Sequence, residues 1–211
     1  MKGLIISSGK INDYTLLEDL IEENDYIVCA DGGLNHLMNI NKVPHVILGD
    51  LDSVSDLGIK YIKDNNIKVE KYPSIKDNTD SELAIIYLIN KGIDDMILIG
   101  GTGTRLDHTL ANLFLLKRFN KNGKHLKVID DNNIVTYVVD TIEIERKQGW
   151  FISIIPINYE GIIVSLTGFK YPLDNKYIEF SSTLGISNEI IEDIGIIEIH
   201  KGEALVFESL D

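Results

Sequence analysis

The stretch TDSELAIIYLINKGIDDMILIG, residues 79–100, carries the reading that decides the fold. In its first half Leu83, Ile86, Tyr87 and Asn90 recur at i, i+3, i+4 and i+7, with Ser81 and Glu82 off that stripe, so the spacing predicts a helix over 79–90. Its second half, Met96-Ile97-Leu98-Ile99, is almost free of polar residues. A strand of that kind has no wet face, which points to a parallel sheet covered by helices on both sides.

Working outward, similar apolar runs stand near 3–7, 26–30, 45–48, 68–72 and 125–129, with helical segments between them, including one from about Asp107 to Phe119. This alternation is the βαβ signature. After Asp130 the pattern becomes short alternating runs at 135–139, 141–145, 150–156, 161–166, 177–180, 195–200 and 204–207. Gly, Asn or Asp bounds each of them, as turns between antiparallel strands require. The polar run Asp130-Asp131-Asn132-Asn133 marks the junction. The expectation is an α/β domain over 1–130 followed by an all-β domain over 131–211.

With 211 residues, 44% hydrophobic and 25% charged, the chain can bury a core in one or two domains and is not disordered. Its formal charge of −13 argues against a nucleic-acid or anionic-membrane surface. An anionic substrate would then need metal ions or a local cluster of cations. No apolar run approaches the roughly 20 residues of a membrane span, and the start lacks the pattern of a secretory signal. Cys29 is the single cysteine, so an intrachain disulfide and a Cys-based metal cluster are excluded, in keeping with a reducing, cytoplasmic setting.

Ligands of a parallel α/β sheet bind at the carboxyl ends of its strands. There this sequence places Asp31-Gly32-Gly33, Asp50-Leu51-Asp52-Ser53, Asp77-Asn78-Thr79-Asp80 and Gly100-Gly101-Thr102-Gly103-Thr104-Arg105-Leu106-Asp107-His108. Taken singly, each is a cap or a turn. Four carboxylate-bearing segments at one edge would repel one another unless a cation binds them. Oxygen ligands suit a hard ion, and magnesium is favoured because it is held by one or two carboxylates plus substrate phosphates. Asp50 and Asp52, one residue apart, would share a side in an extended chain and are the first-choice ligands, with Asp80 completing the set. Arg105, in a glycine-rich loop ahead of a helix, is placed to hold phosphate oxygens with Gly101 and Thr102. His108 reads as a proton relay or as a structural residue. The other histidines show no metal-ligand spacing, and Trp150 reads as core.

These motifs resemble the thiamine pyrophosphokinase family over nearly the whole chain. The resemblance rests on Ala30 to Asn35, Gly49 to Ser53, Asp77 to Asp80, Arg105 to Asn112, and Gly185-Ile186-Ser187-Asn188-Glu189. It implies a Rossmann-like N-terminal domain, a C-terminal β-sandwich, and a homodimer with active sites at the subunit interface. It also implies transfer of the pyrophosphoryl group of ATP to the hydroxyl of thiamine, giving thiamine diphosphate and AMP. By the same resemblance Asp50, Asp52 and Asp80 would bind Mg2+, with Asp77 near the same phosphates. Arg105, Asp107 and His108 would form the nucleotide wall, Asp31 and Asn35 would line the cleft, and Ser187 and Asn188 would reach thiamine. The tryptophan that some relatives place over thiamine has no counterpart between Ile197 and Phe207, which leaves Phe207 or Tyr177 as aromatic substitutes. Rival readings are a kinase moving only the γ-phosphoryl group to a small alcohol, a non-catalytic nucleotide sensor and, more weakly, a nicotinamide oxidoreductase.

Overall fold

The structure is a computed structural model and describes residues 1–51, 54–71, 78–121 and 123–211. The chain divides into two compact units, Met1–Asp131 and Asn132–Asp211.

The first unit contains strands β1 (Lys2–Ile6), β2 (Tyr26–Ala30), β3 (Val46–Gly49), β4 (Val69–Lys71), β5 (Asp95–Ile99) and β6 (His125–Ile129). Helices α1 (Tyr14–Glu23), α2 (Leu34–Asn39), α3 (Asp56–Asp64), α4 (Asp80–Asn90) and α5 (Leu106–Phe119) alternate with them. Side chains open three of the helices. The Asp13 carboxylate accepts from the N–H groups of Thr15 and Leu16 ahead of α1, Ser55 accepts from Gly58 ahead of α3, and Thr79 accepts from Glu82 ahead of α4. Each such cap is worth about 1 kcal/mol.

The strands pair in parallel in the order β4-β3-β2-β1-β5-β6. The chain thus runs outward from β1 to β4, then crosses back to lay β5 on the other side of β1. Alternate side chains face opposite layers. Leu4, Ile6, Ile27, Cys29, Ile47 and Ile99 pack with Leu17, Leu20, Leu34, Leu37 and Ile62 of α1 to α3. On the opposite face α4 lies across the central strands, so close to β1 that a Cβ on Gly3 would stand 2.7 Å from a Leu88 methyl group.

Helix α4 corrects one sequence expectation. Its buried residues are Ser81, Glu82, Ala84, Ile85, Tyr87 and Leu88, whereas Leu83 and Ile86 are only half-buried. The helix packs on the sheet along one side and on α5 along another, and its polar residues are buried because they have partners. The Ser81 hydroxyl lies 2.9 Å from that of Ser7, and Glu82 pairs with Arg118 of α5 and accepts from the Asn78 amide.

The second unit contains β7 (Asn133–Val138), β8 (Thr141–Glu145), β9 (Trp150–Pro156), β10 (Ile162–Thr167), β11 (Leu173–Ile178), β12 (Ile194–Lys201) and β13 (Ala204–Leu210). They form two antiparallel layers, β7-β13-β9 and β11-β10-β12-β8. The layers close over one core in which Val138, Ile152, Ile154 and Val206 meet Ile144, Val164, Leu166, Ile178 and Ile197. This is a β-sandwich. Strand β11 begins earlier than the 177–180 expected from the sequence. It is an outer strand whose residues 174–177 are all exposed, so alternation is missing and its position follows from pairing with β10, Leu173 opposite Leu166 and Ile178 opposite Ile162. Trp150, read as core, is only partly buried and lies under the Lys147 ammonium. Among the described residues no helix is long and apolar enough to cross a membrane.

Candidate active site

Strand order in the first unit reverses between β1 and β5, and at such a point the loops leaving two neighbouring strands diverge and open a crevice. A cleft of about 350 Å³ stands there, lined by residues 7–10 after β1, residues 100–105 after β5, Ser81 of α4, and His108, Thr109 and Asn112 of α5.

Two glycines let the loops meet. The Gly9 N–H donates to the Gly100 carbonyl at 2.8 Å, and a Cβ on Gly9 would lie 2.2 Å from the Thr102 carbonyl oxygen and 2.3 Å from that of Gly100. Gly100 has φ +67°, and its own Cβ would stand 2.5 Å from the Ser7 carbonyl oxygen. Side chains in these places would force the backbones apart. The loop after β5 is tied further by the Asn112 amide, which donates to the Gly101 carbonyl, by Thr109, which accepts from the Gly103 N–H, and by the Thr102 hydroxyl, which donates to Asp130.

The loop after β1 has its own ties. His36 Nε2 lies 2.8 Å from the Gly9 carbonyl oxygen, which can only accept, so Nε2 carries the proton and Nδ1 accepts from the Tyr14 hydroxyl. The Asp131 carboxylate accepts from the N–H groups of Asn12 and Asp13 and from the Asn12 amide. Burial pushes the Asp131 carboxyl up, but those donors and the nearby Lys10 charge outweigh it and bring it below its ordinary value.

Lys10, Arg105 and His108 supply positive or protonatable groups to the cleft, and none of the described residues lining it is acidic. In a chain of charge −13 the charged side chains among the described lining residues are thus cationic. Arg105 Nε and Nη2 donate to the two oxygens of Asp107 at 3.2 and 2.6 Å. The Arg105 hydrogen bond holds the Asp107 carboxyl down at about 2.

Gly101, Thr102, Arg105 and His108 from the sequence reading therefore line one cleft, with Asp107 beside it as the partner of Arg105. Asp50 follows β3 directly and Asp80 is the first residue of α4, both half-buried at the carboxyl edge. Between the paired aspartates Leu51 has φ +67°, a left-handed conformation that costs a non-glycine residue roughly 1–2 kcal/mol. The chain is not extended at that point, so the argument that alternation brings Asp50 and Asp52 to one side does not apply. Asp52 and Asp77 lie outside the described residues. Asp31 begins a single 3-10 turn, Asp31–Gly33, at the end of β2, and its side chain also lies outside what is described. Asn35 is exposed on α2 and is not among the residues lining the cleft.

In the second unit Ser187 is exposed with φ +56°, and its N–H donates to Ser153. The buried Asn188 amide donates to the Tyr171 carbonyl while its oxygen accepts from the Tyr171 and Glu189 N–H groups. Asn188 thereby shapes a hollow of about 190 Å³ lined also by Leu166, Tyr171, Leu173 and residues 183–186. Among the described residues no three His, Cys, Asp or Glu side chains converge as metal ligands. The donors that remain at the carboxyl edge of the sheet, the carboxylates of Asp50 and Asp80, are all oxygen, a donor set that suits a hard divalent cation and no soft metal.

The sequence reading missed Ser7, Ser8, Gly9, Lys10, Ser81, Thr109 and Asn112 as cleft residues. The Ser-Ser-Gly-Lys run at the end of an apolar strand was the available signal for the first four.

A doubly wound α/β unit with a cation-lined cleft at its switch point, followed by a β-sandwich, defines a protein built to hold an anionic ligand on a parallel sheet. The family models for the thiamin pyrophosphokinase catalytic domain and the thiamin pyrophosphokinase vitamin B1 binding domain match residues 17–128 and 140–205. The chain belongs to the thiamin pyrophosphokinase family. It is 32% identical over 209 residues to the thiamine pyrophosphokinase of Bacillus subtilis, covering 98% of both chains. To thiamin pyrophosphokinase 1 of Caenorhabditis elegans it is 30% identical, covering 82% of this chain and 74% of that one. The crystal structure of the Bacillus subtilis enzyme superposes with a TM-score of 0.89 at 31% identity over 100% of both chains. That of thiamin pyrophosphokinase from Geobacillus thermodenitrificans gives 0.85 at 28% identity, covering 100% of this chain and 98% of that one.

Proposed function

We infer that this chain is a thiamine pyrophosphokinase that transfers the pyrophosphoryl group of ATP to thiamine, releasing AMP. The observation that carries this reading is the cleft at the β1/β5 switch point, lined by Lys10, Arg105 and His108 within an acidic protein and reached by Ser81 from the first turn of α4. The thiamine hydroxyl attacks the β-phosphorus, the bond from that phosphorus to the α-bridging oxygen breaks, and AMP leaves with the electron pair. Arg105 meets the growing charge on the phosphate oxygens while the glycine loops and the N-terminus of α5 hold the chain of phosphates in line. Gly101, Thr102, Asp107 and His108 form the nucleotide side, with Asp31 and Asn35 farther along the edge.

Asp50, Asp52 and Asp80 would hold Mg2+, which spreads negative charge over the phosphates when bound. Asp80 or Asp77 accepts the hydroxyl proton. The α/β domain, 1–130, is assigned the nucleotide and the chemistry, and the sandwich, 131–211, is assigned thiamine binding and dimerisation. Thiamine is a cation, and an acidic protein attracts it.

We also assign the enzyme to the cytoplasm and to a homodimer in which Ser187 and Asn188 of the partner subunit reach thiamine. An exposed apolar row on α5, Leu106, Leu110 and Phe114 at i, i+4 and i+8, supports self-association. Static light scattering giving the monomer mass at micromolar concentration would remove the dimer.

The decisive experiment is chromatographic analysis of purified protein with ATP, MgCl2 and thiamine. Equal amounts of AMP and thiamine diphosphate are expected. ADP with thiamine monophosphate would replace this reading by a γ-phosphoryl kinase, and no thiamine-dependent loss of ATP would leave a nucleotide sensor.

A further inference from the structure

We propose that Lys10 is a phosphate-binding residue of the switch-point cleft, facing the Arg105 loop and contacting the phosphate chain of the nucleotide. This rests on the reading of the cleft as the nucleotide site. Lys10 stands ahead of residues 17–128, so the family's catalytic-domain match does not reach it.

Three observations converge on Lys10. It lines the cleft from the loop after β1, while the other strong cation, Arg105, lines it from the loop after β5. Two of the Arg105 donors are already engaged with Asp107, so the charge that Arg105 offers a ligand is partly offset before any ligand arrives. A chain of phosphates in a protein of charge −13 needs a second cation, and Lys10 is the lysine among the described residues lining that cleft.

The loop that carries Lys10 is held in place rather than left to solvent. Gly9 donates to the Gly100 carbonyl and accepts from His36 Nε2, both at 2.8 Å. On the far side of Lys10, Asp131, which feels the Lys10 charge without a hydrogen bond to it among those described, fixes the Asn12 and Asp13 N–H groups at 2.9 to 3.0 Å. Backbone on both sides of the lysine is therefore set before binding, which spares the entropy of ordering a loop around the ligand. Lys10 is itself exposed, so its ammonium remains reachable.

The test compares wild type with K10M and K10R. Binding of α,β-methylene-ATP with MgCl2, followed by calorimetry, reports the phosphate contact without turnover, because the scissile bridge is replaced by carbon. K10M is expected to weaken binding about tenfold and to raise KM for ATP by a similar factor while leaving KM for thiamine within about twofold; K10R, which keeps the charge, restores most of both. The melting temperature of K10M without ligand stays within a few degrees of the wild-type value, since Lys10 is exposed and the Asn12 and Asp13 donors still hold Asp131. Wild-type affinity for the analogue in K10M overturns the proposal even if the wild type makes AMP and thiamine diphosphate. If the wild type makes neither product but K10M loses the analogue and K10R regains it, the assignment of Lys10 stands and the reaction assigned to the cleft falls.

Discussion

Arg105 and Asp107, two residues apart where α5 begins, are joined side by side, Nε to Oδ1 at 3.2 Å and Nη2 to Oδ2 at 2.6 Å. The pair fixes the guanidinium plane against the Asp107 carboxylate before any ligand binds. A lysine cannot reproduce two parallel donors, so R105K should lower kcat/KM for ATP by roughly 10- to 100-fold. Because the Arg105 hydrogen bond depresses the Asp107 carboxyl from 3.8 to about 2, the pair is intact above 3.8 and is lost only as pH falls through about 2. Any acid limb of kcat/KM seen at about pH 5 to 6 therefore belongs to another group, and D107N should leave its position unchanged while raising KM for ATP. A limb that moves in D107N would refute the assignment.

Gly9→Ala places a methyl group 2.2 Å from the Thr102 carbonyl oxygen and 2.3 Å from that of Gly100, both rigid backbone. The loops must separate, at a cost of about 1–3 kcal/mol. Thermal unfolding should show a lower Tm, and KM for ATP should rise further than KM for thiamine, since the displaced loops line the cleft. Equal rises in the two KM values would mean that the cleft serves both substrates.

Removing divalent metal with EDTA should stop turnover, and MgCl2 should restore it. Asp50→Asn, Asp52→Asn and Asp80→Asn each delete the charge of a proposed ligand and should raise the MgCl2 concentration for half-maximal rate or abolish turnover, with a change in Tm of only a few degrees. An Asp52→Asn enzyme with full activity and unchanged metal dependence would remove Asp52 from the ligand set.

Tyr137 of β7 donates its phenol proton to Glu203, and burial together with that carboxylate pushes the phenol well above its ordinary 10.0. The folded state holds the proton more tightly than the unfolded chain. Its contribution to stability is therefore complete below about pH 10 and declines as pH rises from there toward the raised folded value. Tyr137→Phe should cost about 1 kcal/mol at neutral pH and flatten the fall of Tm between about pH 10 and 11, as followed by circular dichroism.

The route from sequence to site was legible where local pattern and tertiary outcome agree. Thr79 caps α4 and the apolar run at 96–99 becomes a buried central strand, because caps and burial periodicity act within a few residues. Asp31, Asp50 and the Gly100 to Arg105 loop fell directly after β2, β3 and β5 for the same reason. Ser81 and Glu82 were misjudged because their burial depends on Ser7 and Arg118, far away in sequence. Leu51 shows another limit, since a left-handed leucine inside Asp50-Leu51-Asp52 carries no compositional signal.

By itself, the sequence determined the class of each element, the change from a buried parallel sheet to an all-β sandwich near Asp130, and the chemistry available at the strand ends. These follow from side-chain polarity, capping and turn preference, which are properties of short segments. Only the tertiary structure decided that the loops after β1 and β5 would face each other, placing Ser7 to Lys10 opposite Gly100 to Arg105. Strand order has no local signature: it is set by which distant backbones share hydrogen bonds, as Gly9 and Gly100 do, and by the helices that must cover both faces of the sheet.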